Sequence, residues 1–222
     1  MALKLIIGNK NYSSWSLRPW IAMKVAGIPF EEVVIPLYEG DWKAQVAKHT
    51  PAGKVPVLVD GDATIWESLA ILEHLADKFP QADLWPKDAA ARSHARAISA
   101  EMHAGFAPLR QNCPMNMWLP PKPRPQSEEV MADVRRIEES WRECLGRWRG
   151  PFLFGKFGAA DAMYAPVVSR FYTYGLPVSE RTLGYMDRVR ALPAWQEWHE
   201  ACLKEPWVMP HYEPDWPNIQ KM

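Results

Sequence analysis

The stretch Asn9-Lys-Asn-Tyr-Ser-Ser-Trp-Ser-Leu-Arg-Pro-Trp20 joins a short apolar segment to a helical pattern. Residues 3–8 alternate apolar side chains and are predicted to form a strand. A helix is predicted to begin at residues 14–16 and to run to Ala26, with Gly27 as the left-handed residue that ends it. A turn from a strand into a helix presents free backbone N–H groups and the positive end of the helix dipole. The sequence therefore predicts an anion-binding point at this turn.

Polar side chains crowd this turn, namely Asn11, Ser13, Ser14 and Ser16. Such residues are favoured at the start of a helix because their oxygens accept hydrogen bonds from its unpaired N–H groups. The same hydroxyls are also suited to hold a ligand. Local spacing alone favours the capping interpretation, and only the rest of the chain can change that preference.

The composition excludes several classes of function. The 222 residues carry 26 basic and 26 acidic side chains, so neither nucleic acid nor an anionic membrane is indicated as a partner. No apolar run is long enough to span a membrane and no signal-peptide pattern is present, so a cytoplasmic location is expected. The histidines show no metal-ligand spacing, and no metal is expected. Three isolated cysteines are interpreted as buried or inert thiols, namely Cys113, Cys144 and Cys202.

The first eighty residues alternate strand and helix patterns. Phe30–Leu37 is predicted to be a buried strand and Trp42–Lys48 a short helix, which implies a parallel strand pair with a right-handed crossover. Two short strands, Val55–Val59 and Ala63–Trp66, flank Asp60-Gly61 and predict a hairpin. A helix then opens at Glu67-Ser68. The predicted order over residues 1–80 is βαβα followed by ββα.

Beyond residue 80 the pattern is helical throughout. Residues 81–87 are predicted to be a linker, and residues 88–222 an all-helical second domain whose last part, 206–222, wraps the surface. Its predicted helices are Asp88–Arg110, Ser127–Trp148, Ala159–Tyr174, Ser179–Leu192 and Ala194–Lys204. The fold class is therefore α/β followed by all-α.

This order resembles that of the cytosolic glutathione transferases, and specific motifs carry the resemblance. Residues 12–22, Tyr-Ser-Ser-Trp-Ser-Leu-Arg-Pro-Trp-Ile-Ala, resemble the Ser-Ser-Cys-x-x-Arg-x-x-Ile-Ala motif of the zeta class, the maleylacetoacetate isomerases. Val55-Pro56 before the hairpin and Glu67-Ser68 after it resemble the glutathione site of the family. Residues 155–162, Gly-Lys-Phe-Gly-Ala-Ala-Asp-Ala, resemble the segment that caps a buried helix of the second domain.

Residues 96–110 are similar without gaps to the zeta-class helix that lines the active site. The chain departs from that class at Ala107 and Gln111, where the class has polar amides, and at Trp15, which replaces a cysteine. The resemblance therefore implies a zeta-like architecture more securely than the zeta reaction.

The resemblance implies a thioredoxin-like first domain that binds glutathione, and a homodimer. Ser13 is the aligned hydroxyl that would donate to the glutathione sulfur and favour the thiolate, Ser14 is the neighbour that could substitute for it, and Tyr12 is a rival hydroxyl. Since this turn contains no cysteine, the reactive sulfur must come from glutathione. The residues expected to hold the rest of glutathione are Lys43, Lys54, Val55, Pro56, Glu67 and Ser68.

These residues match the parts of glutathione. Val55 would pair with the peptide backbone if its bond to Pro56 is cis. Glu67 would pair with the γ-glutamyl ammonium, and Ser68 with the helix N-terminus behind it would bind the carboxylate. A plain helix cap is the alternative for Glu67 and Ser68. Lys43 would meet the glycine carboxylate.

The second domain would select the electrophile, a small molecule. Trp15 from the first domain and Met102, His103, Phe106 and Arg110 from the second are the candidates, with the proline-rich segment 114–125 as a roof. Met102 and Phe106 could equally well be core residues. His103 and Arg110 could equally well be solvated surface residues. An arginine here would suit an acidic group on the substrate.

The predicted function is a serine-type glutathione transferase that conjugates, isomerises or reductively dehalogenates a small electrophile. The alternative is a non-catalytic protein-interaction module on the same fold. Asp161 is predicted to cap its helix, with half of the usual capping box missing because residue 158 is glycine.

Overall fold

The computed structural model describes residues 2–213 of the chain, and one four-stranded sheet lies at the start of it. Its strands are β1 (Leu3–Ile7), β2 (Phe30–Val34), β3 (Val57–Asp60) and β4 (Ala63–Trp66). The spatial order is β2-β1-β3-β4, with β2 parallel to β1 and the other two pairs antiparallel. The parallel pair and the hairpin predicted from the sequence are both confirmed.

Three helices accompany the sheet, namely α1 (Ser14–Val25), α2 (Trp42–Ala47) and α3 (Ser68–Lys78). Gly27 follows α1 with φ +66°, as predicted for the residue that ends this helix. The apolar faces of α1 and α3 pack on one side of the sheet and share its core with the second half of the chain. The fold is thus the predicted thioredoxin-like arrangement.

The prediction that β2 is a buried strand is wrong. Glu31 and Glu32 are exposed, and the strand ends at Val34 instead of Leu37. Because β2 lies at the edge of the sheet, water can reach side chains that an inner strand would bury. The β-branched residues that suggested burial reflect strand propensity alone.

A short 3-10 turn, Pro80–Ala82, leads from α3 toward the helical half, so the predicted linker is in part structured. The helices of this half are α4 (Ala89–Ala104), α5 (Ala107–Asn112), α6 (Glu128–Arg147), α7 (Ala159–Thr173), α8 (Glu180–Arg190) and α9 (Pro193–Cys202). Of the helices within residues 2–213, none has the length and apolar character needed to cross a bilayer. The sequence also predicts that residues 206–222 wrap the surface, and residues 214–222 of this segment lie outside the part that the structure describes.

The single helix predicted over residues 88–110 is broken into α4 and α5. Gly105 is extended, and Phe106 has a left-handed backbone with φ 61°. Pro108 explains the break, because it has no N–H to donate to the carbonyl of Ala104. The break turns α5 away from the axis of α4 and so changes which residues can meet the first helix.

Helix α7 organises the interior of the protein. It is buried along nearly all of its length and packs against both α1 and α4. Polar side chains at the start of α1 therefore face side chains of α7 across the boundary between the two halves. The candidate site lies at this boundary.

Candidate functional site

Ser13 stands immediately before α1 and does not cap the helix backbone with its side chain. It is the N-cap residue, yet its side chain makes no capping hydrogen bond. Its Oγ donates instead to Ser16 Oγ at 2.7 Å, and Ser16 Oγ in turn accepts from the Gly8 N–H at 3.1 Å. The capping interpretation therefore does not describe Ser13. A half-buried hydroxyl remains at the positive end of the helix.

A cavity of about 320 Å³ opens beside this hydroxyl, and we call it the main cavity. It is lined by side chains from both halves of the chain. Its lining residues are Tyr12, Ser13, Ser14, Trp15, Leu37, Tyr38, Trp42, Gly53, Lys54, Val55, Arg110, Pro114, Met115, Arg170, Met209 and Tyr212.

A smaller cavity of about 190 Å³ adjoins it, since Trp15, Lys54 and Val55 line both. The smaller cavity is completed by Pro56, Trp66, Glu67 and Ser68. Six of the predicted glutathione-binding residues thus lie along two adjoining cavities, namely Ser13, Lys54, Val55, Pro56, Glu67 and Ser68.

The backbone around the smaller cavity is unusual in two places. The Val55–Pro56 bond is cis, as the resemblance implied. Glu67, which precedes α3, has φ 69° and makes no side-chain capping bond. A left-handed backbone at a residue other than glycine costs about 1–3 kcal/mol and is found most often at ligand sites. The Glu67 side chain therefore does not cap α3, and its carboxylate lies along the smaller cavity.

Three guanidinium groups converge on the start of α1. Arg170 of α7 is buried, and its Nη2 donates to Ser14 Oγ at 3.3 Å. Arg18 is buried too, and its Nη1 lies 3.5 Å from Ser68 Oγ. Within residues 2–213, no carboxylate forms an ion pair with Arg18, Arg110 or Arg170. Burial is the main cause that lowers the pKa of all three, to about 10 for Arg170, and mutual repulsion adds to it for Arg18 and Arg170. The site is strongly electropositive and suited to an anion.

Trp15 is the common neighbour of these charges. The Arg18 guanidinium lies 4.0 Å and that of Arg110 4.9 Å from the centre of its ring. His103 contacts the same ring edge-on, with the ring centres 5.2 Å apart, and its Nε2 lies 3.5 Å from a Glu67 carboxylate oxygen. Burial and the neighbouring Arg18 lower the pKa of His103, so the imidazole is neutral at pH 7.

The last described segment closes one side of the main cavity. Met209 and Tyr212 line it, and the Tyr212 ring stacks on Tyr12 with ring centres 5.9 Å apart. The Tyr12 hydroxyl donates to Glu213 Oε1 at 2.6 Å, and burial raises the pKa of that phenol. Tyr12 is therefore already engaged and is a weaker candidate than Ser13 for donating to a ligand sulfur.

Several predicted site residues lie elsewhere. Met102 and Phe106 are buried in the core, as the alternative interpretation had it, and neither lines the main cavity. Lys43 does not line it either, and its ammonium lies 5.7 Å from the ring centre of Trp42. The predicted proline-rich roof, residues 114–125, contributes only Pro114 and Met115 to the main cavity. Further along, the Lys122 N–H donates to the Thr173 carbonyl at the end of α7 at 2.9 Å.

The sequence analysis missed Arg170, and one pattern signals it. In the sequence of α7, a helix otherwise made almost wholly of small and apolar residues, Arg170 and Asp161 are the charged positions. A buried arginine in such a helix needs partners, and Arg170 donates to the Cys113 and Pro166 carbonyls as well as to Ser14.

Asp161 and the three cysteines, which the sequence analysis also singled out, have structural positions away from the main cavity. Asp161 accepts from the Leu153 and Gly158 N–H groups and from the Tyr185 hydroxyl, so the predicted capping carboxylate is confirmed. Its fully buried position raises the pKa of the carboxyl to about 6. All three cysteines are buried, as predicted, and residues 2–213 contain no cluster able to hold a metal ion.

Comparisons with known proteins agree with this architecture. Sequence models of the glutathione S-transferase N-terminal and C-terminal domains match residues 12–78 and 124–201. The chain is 35% identical over 206 residues to mouse glutathione S-transferase theta-1, covering 83% of each protein. It is 39% identical over 97 residues to a probable maleylacetoacetate isomerase of Caenorhabditis elegans, covering 44% of this chain and 45% of that one.

Solved structures give the same fold. A glutathione transferase homologue from Burkholderia gl BGR1, determined with bound glutathione, superposes with a TM-score of 0.71 at 22% identity over 91% of this chain and 98% of that one. The two family domains, the long match to the mouse protein and the shared fold lead to one conclusion. The chain belongs to the glutathione S-transferase family.

Proposed function

We propose that this protein binds glutathione and uses Ser13 to favour its thiolate, which reacts with a small electrophile that carries a carboxylate. The observation that carries the proposal is the shared lining of the main cavity. Ser13, Ser14, Arg110 and Arg170 all line this one cavity.

The residues present fit glutathione, the cosubstrate of the family. The tripeptide has an ammonium and a carboxylate at one end and a second carboxylate at the other. In the smaller cavity, Glu67 can take the ammonium and Ser68 the adjacent carboxylate, while the backbone of Val55 faces the peptide. Lys54 lines both cavities and is the candidate for the glycine carboxylate, a role that the structure favours over Lys43.

The neighbouring charge also suits this ligand. Arg18 lies beside Ser68, and its buried Nε has no hydrogen-bond partner among the described residues. An anion bound at Ser68 would compensate a positive charge that the protein leaves unpaired.

Ser13 supplies the chemistry that the thiol needs. A free thiol has a pKa of about 8.5 and is mostly protonated at pH 7. A hydroxyl that donates to the sulfur, at the positive end of α1 and among three arginines, stabilises the thiolate. Ser13 can give up its bond to Ser16 without loss to the helix, because Ser16 keeps its bond to the Gly8 N–H.

Arg110 and Arg170 favour an acidic electrophile. Both line the main cavity, and neither forms an ion pair within residues 2–213. Conjugation, cis–trans isomerisation of an unsaturated diacid and reductive dehalogenation of a halogenated acid all fit this site. The relative named a probable maleylacetoacetate isomerase supports the second reaction, whereas Ala107 and Gln111 depart from that class.

A product assay tests the proposal. Purified protein is incubated with glutathione and, in turn, a neutral aryl halide, maleate and a 2-haloacid, and products are separated by chromatography. We expect turnover of at least one acidic substrate above the rate with glutathione alone. Turnover of none of them, together with no heat of glutathione binding in calorimetry, would favour the non-catalytic interaction module.

A further inference from the structure

The turn that carries Ser13 is held from outside by the segment that follows α9. Glu205, in that segment, is 6% exposed. One of its carboxylate oxygens accepts from the Lys10 N–H at 2.6 Å, and the other accepts from the Asn11 N–H at 3.0 Å. A carboxylate from near the end of the described chain thus accepts hydrogen bonds from two successive backbone N–H groups shortly before Ser13.

A second contact holds the same turn. The Trp198 indole of α9 donates to the Lys10 carbonyl at 3.0 Å. The Lys10 ammonium lies 5.0 Å from the ring centre of Trp20 and 5.3 Å from that of Trp198, and it pairs with Glu32 at 2.7 Å. Both the backbone and the side chain of Lys10 are therefore fixed.

These contacts lead directly to the hydroxyl in question. The Ser13 N–H donates to the Asn9 carbonyl at 2.8 Å, so the turn 9–13 is short and closed. Asn11 also bridges to the helical half, because its Oδ1 accepts from the Trp118 N–H at 3.0 Å. A shift of Lys10 or Asn11 would therefore move Ser13 as well, because the hydrogen bond between Asn9 and Ser13 closes the turn around them.

Burying this carboxylate is costly, which argues that its contacts matter. Burial raises the pKa of Glu205, while the Asn11 and Lys10 N–H bonds and the Lys10 charge act in the opposite direction. Glu32 is the other nearby acid and raises it further. An apolar residue would fill the same place without the desolvation penalty.

We propose that Glu205 is a positioning residue, which holds the turn 9–12 so that the Ser13 hydroxyl points at the glutathione sulfur. This inference rests on the proposed role of Ser13. It differs from that role because Glu205 itself lines neither cavity and touches no reacting atom.

The test compares Glu205→Gln with the wild-type protein. An amide offers one oxygen and one NH₂ group, so it can accept from only one of the two N–H groups and repels the other. The thiolate absorbance of protein-bound glutathione is titrated against pH, and amide hydrogen exchange of Lys10 and Asn11 is followed in the same samples.

We expect faster exchange at both amides and a rise of about 1 in the pKa of the bound thiol, so that the ratio of thiolate to thiol at a given pH falls about tenfold. Glutathione affinity should change less than about twofold, since the smaller cavity is untouched. An unchanged thiol pKa in Glu205→Gln overturns the proposal, whatever the exchange rates show.

Two further variants separate positioning from stability. Asp161→Asn alters another buried carboxylate that holds two backbone N–H groups, and it should lower the melting temperature while leaving the thiol pKa unchanged. Trp198→Phe removes the bond to the Lys10 carbonyl but keeps an aromatic ring beside the Lys10 ammonium, and it should raise the thiol pKa by a smaller amount. If Glu205→Gln does not fold, the Trp198→Phe titration decides, and no rise there overturns the proposal.

The outcome for Ser13 is read separately. Ser13→Ala with an unchanged thiol pKa would overturn the serine mechanism of the proposed function. A raised thiol pKa in Ser13→Ala beside an unchanged one in Glu205→Gln would overturn only the positioning role of Glu205.

Discussion

The two walls of the main cavity are built in different ways. The wall from the first eighty residues consists of short contiguous motifs, in which Ser13-Ser14 and Lys54-Val55 reach the cavity from turns at strand ends. The wall from the helical half includes two charged residues far apart in sequence, Arg110 and Arg170, which come together because Arg170 of α7 donates to the Cys113 carbonyl at the end of α5. The first wall offers hydroxyls and backbone groups, and the second offers charge. We infer from this difference that glutathione belongs to the first wall and the electrophile to the second.

The largest expected effect is on stability and comes from Asp161, a residue that belongs to neither wall of the main cavity. Asp161→Ala leaves the Leu153 N–H, the Gly158 N–H and the Tyr185 hydroxyl without their acceptor in the interior. We expect the free energy of unfolding to fall by about 3 kcal/mol or more. Urea denaturation measures this fall, and calorimetry should find the glutathione affinity of the folded variant unchanged. Normal stability with lost binding would contradict the structural role.

The Asp161 carboxyl also makes the free energy of unfolding depend on pH. Burial raises the pKa of Asp161 from 3.8 to about 6, so its contribution is fully present below about pH 4 and declines as the pH rises to 6. The total change is about 3 kcal/mol. The difference in unfolding free energy between wild type and Asp161→Ala should therefore narrow from pH 4 to pH 6, and a widening gap would contradict the raised pKa.

The next effect tests the first wall. Ser13→Ala removes the hydroxyl proposed to favour the thiolate, and we expect turnover at pH 7 to fall about 20-fold. A bound thiol with a pKa of about 8.5 is only about 3 per cent thiolate at pH 7, compared with more than about half when the pKa is below about 7. Ser14→Ala is the matched control, since its hydroxyl accepts from Arg170. Steady-state rates with a neutral aryl halide measure the effect. Equal losses in both variants would remove the distinction between the two serines.

A smaller effect tests the second wall. Arg110→Gln should lower kcat/KM for an acidic electrophile about tenfold, or about 1.4 kcal/mol, and leave a neutral aryl halide unaffected. Both arginines donate to two backbone carbonyls, Arg110 to those of Met102 and His103. Arg110 is preferred for this test because it is only partly buried, whereas Arg170 is buried and also donates to Ser14 of the first wall. Equal losses on acidic and neutral substrates would mean that the second wall does not select charge.

The smallest effect concerns two lysines. Lys43→Ala should change glutathione affinity less than about twofold, because the ammonium lies outside both cavities, whereas Lys54→Ala should weaken binding about fivefold. Calorimetric titration of both variants measures the difference. A larger loss for Lys43 would restore the assignment made from the sequence.

The sequence predicted the first wall well for a physical reason. The Val55-Pro56 and Glu67-Ser68 pairs act through backbone geometry set within a few residues, so a local motif contains most of the information. The strand order and the ends of most helices follow in the same way from periodicity and from residues such as Gly27.

The second wall depends on packing that no local pattern encodes. Periodicity over residues 88–110 predicted one helix, but Pro108 breaks it into α4 and α5, with Met102 buried in α4 and Arg110 of α5 at the cavity. Arg170 reaches Ser14 only through the contact of α7 with α1. Sequence reasoning alone had no measure of that contact.

The most direct test of the account is the pKa of the glutathione thiol in its complex with the wild-type protein. It is measured from the thiolate absorbance between pH 5 and pH 10 at saturating protein. We predict a pKa below about 7, compared with about 8.5 for a free thiol. A bound thiol that still titrates at about 8.5 would contradict the claim that the start of α1 activates glutathione.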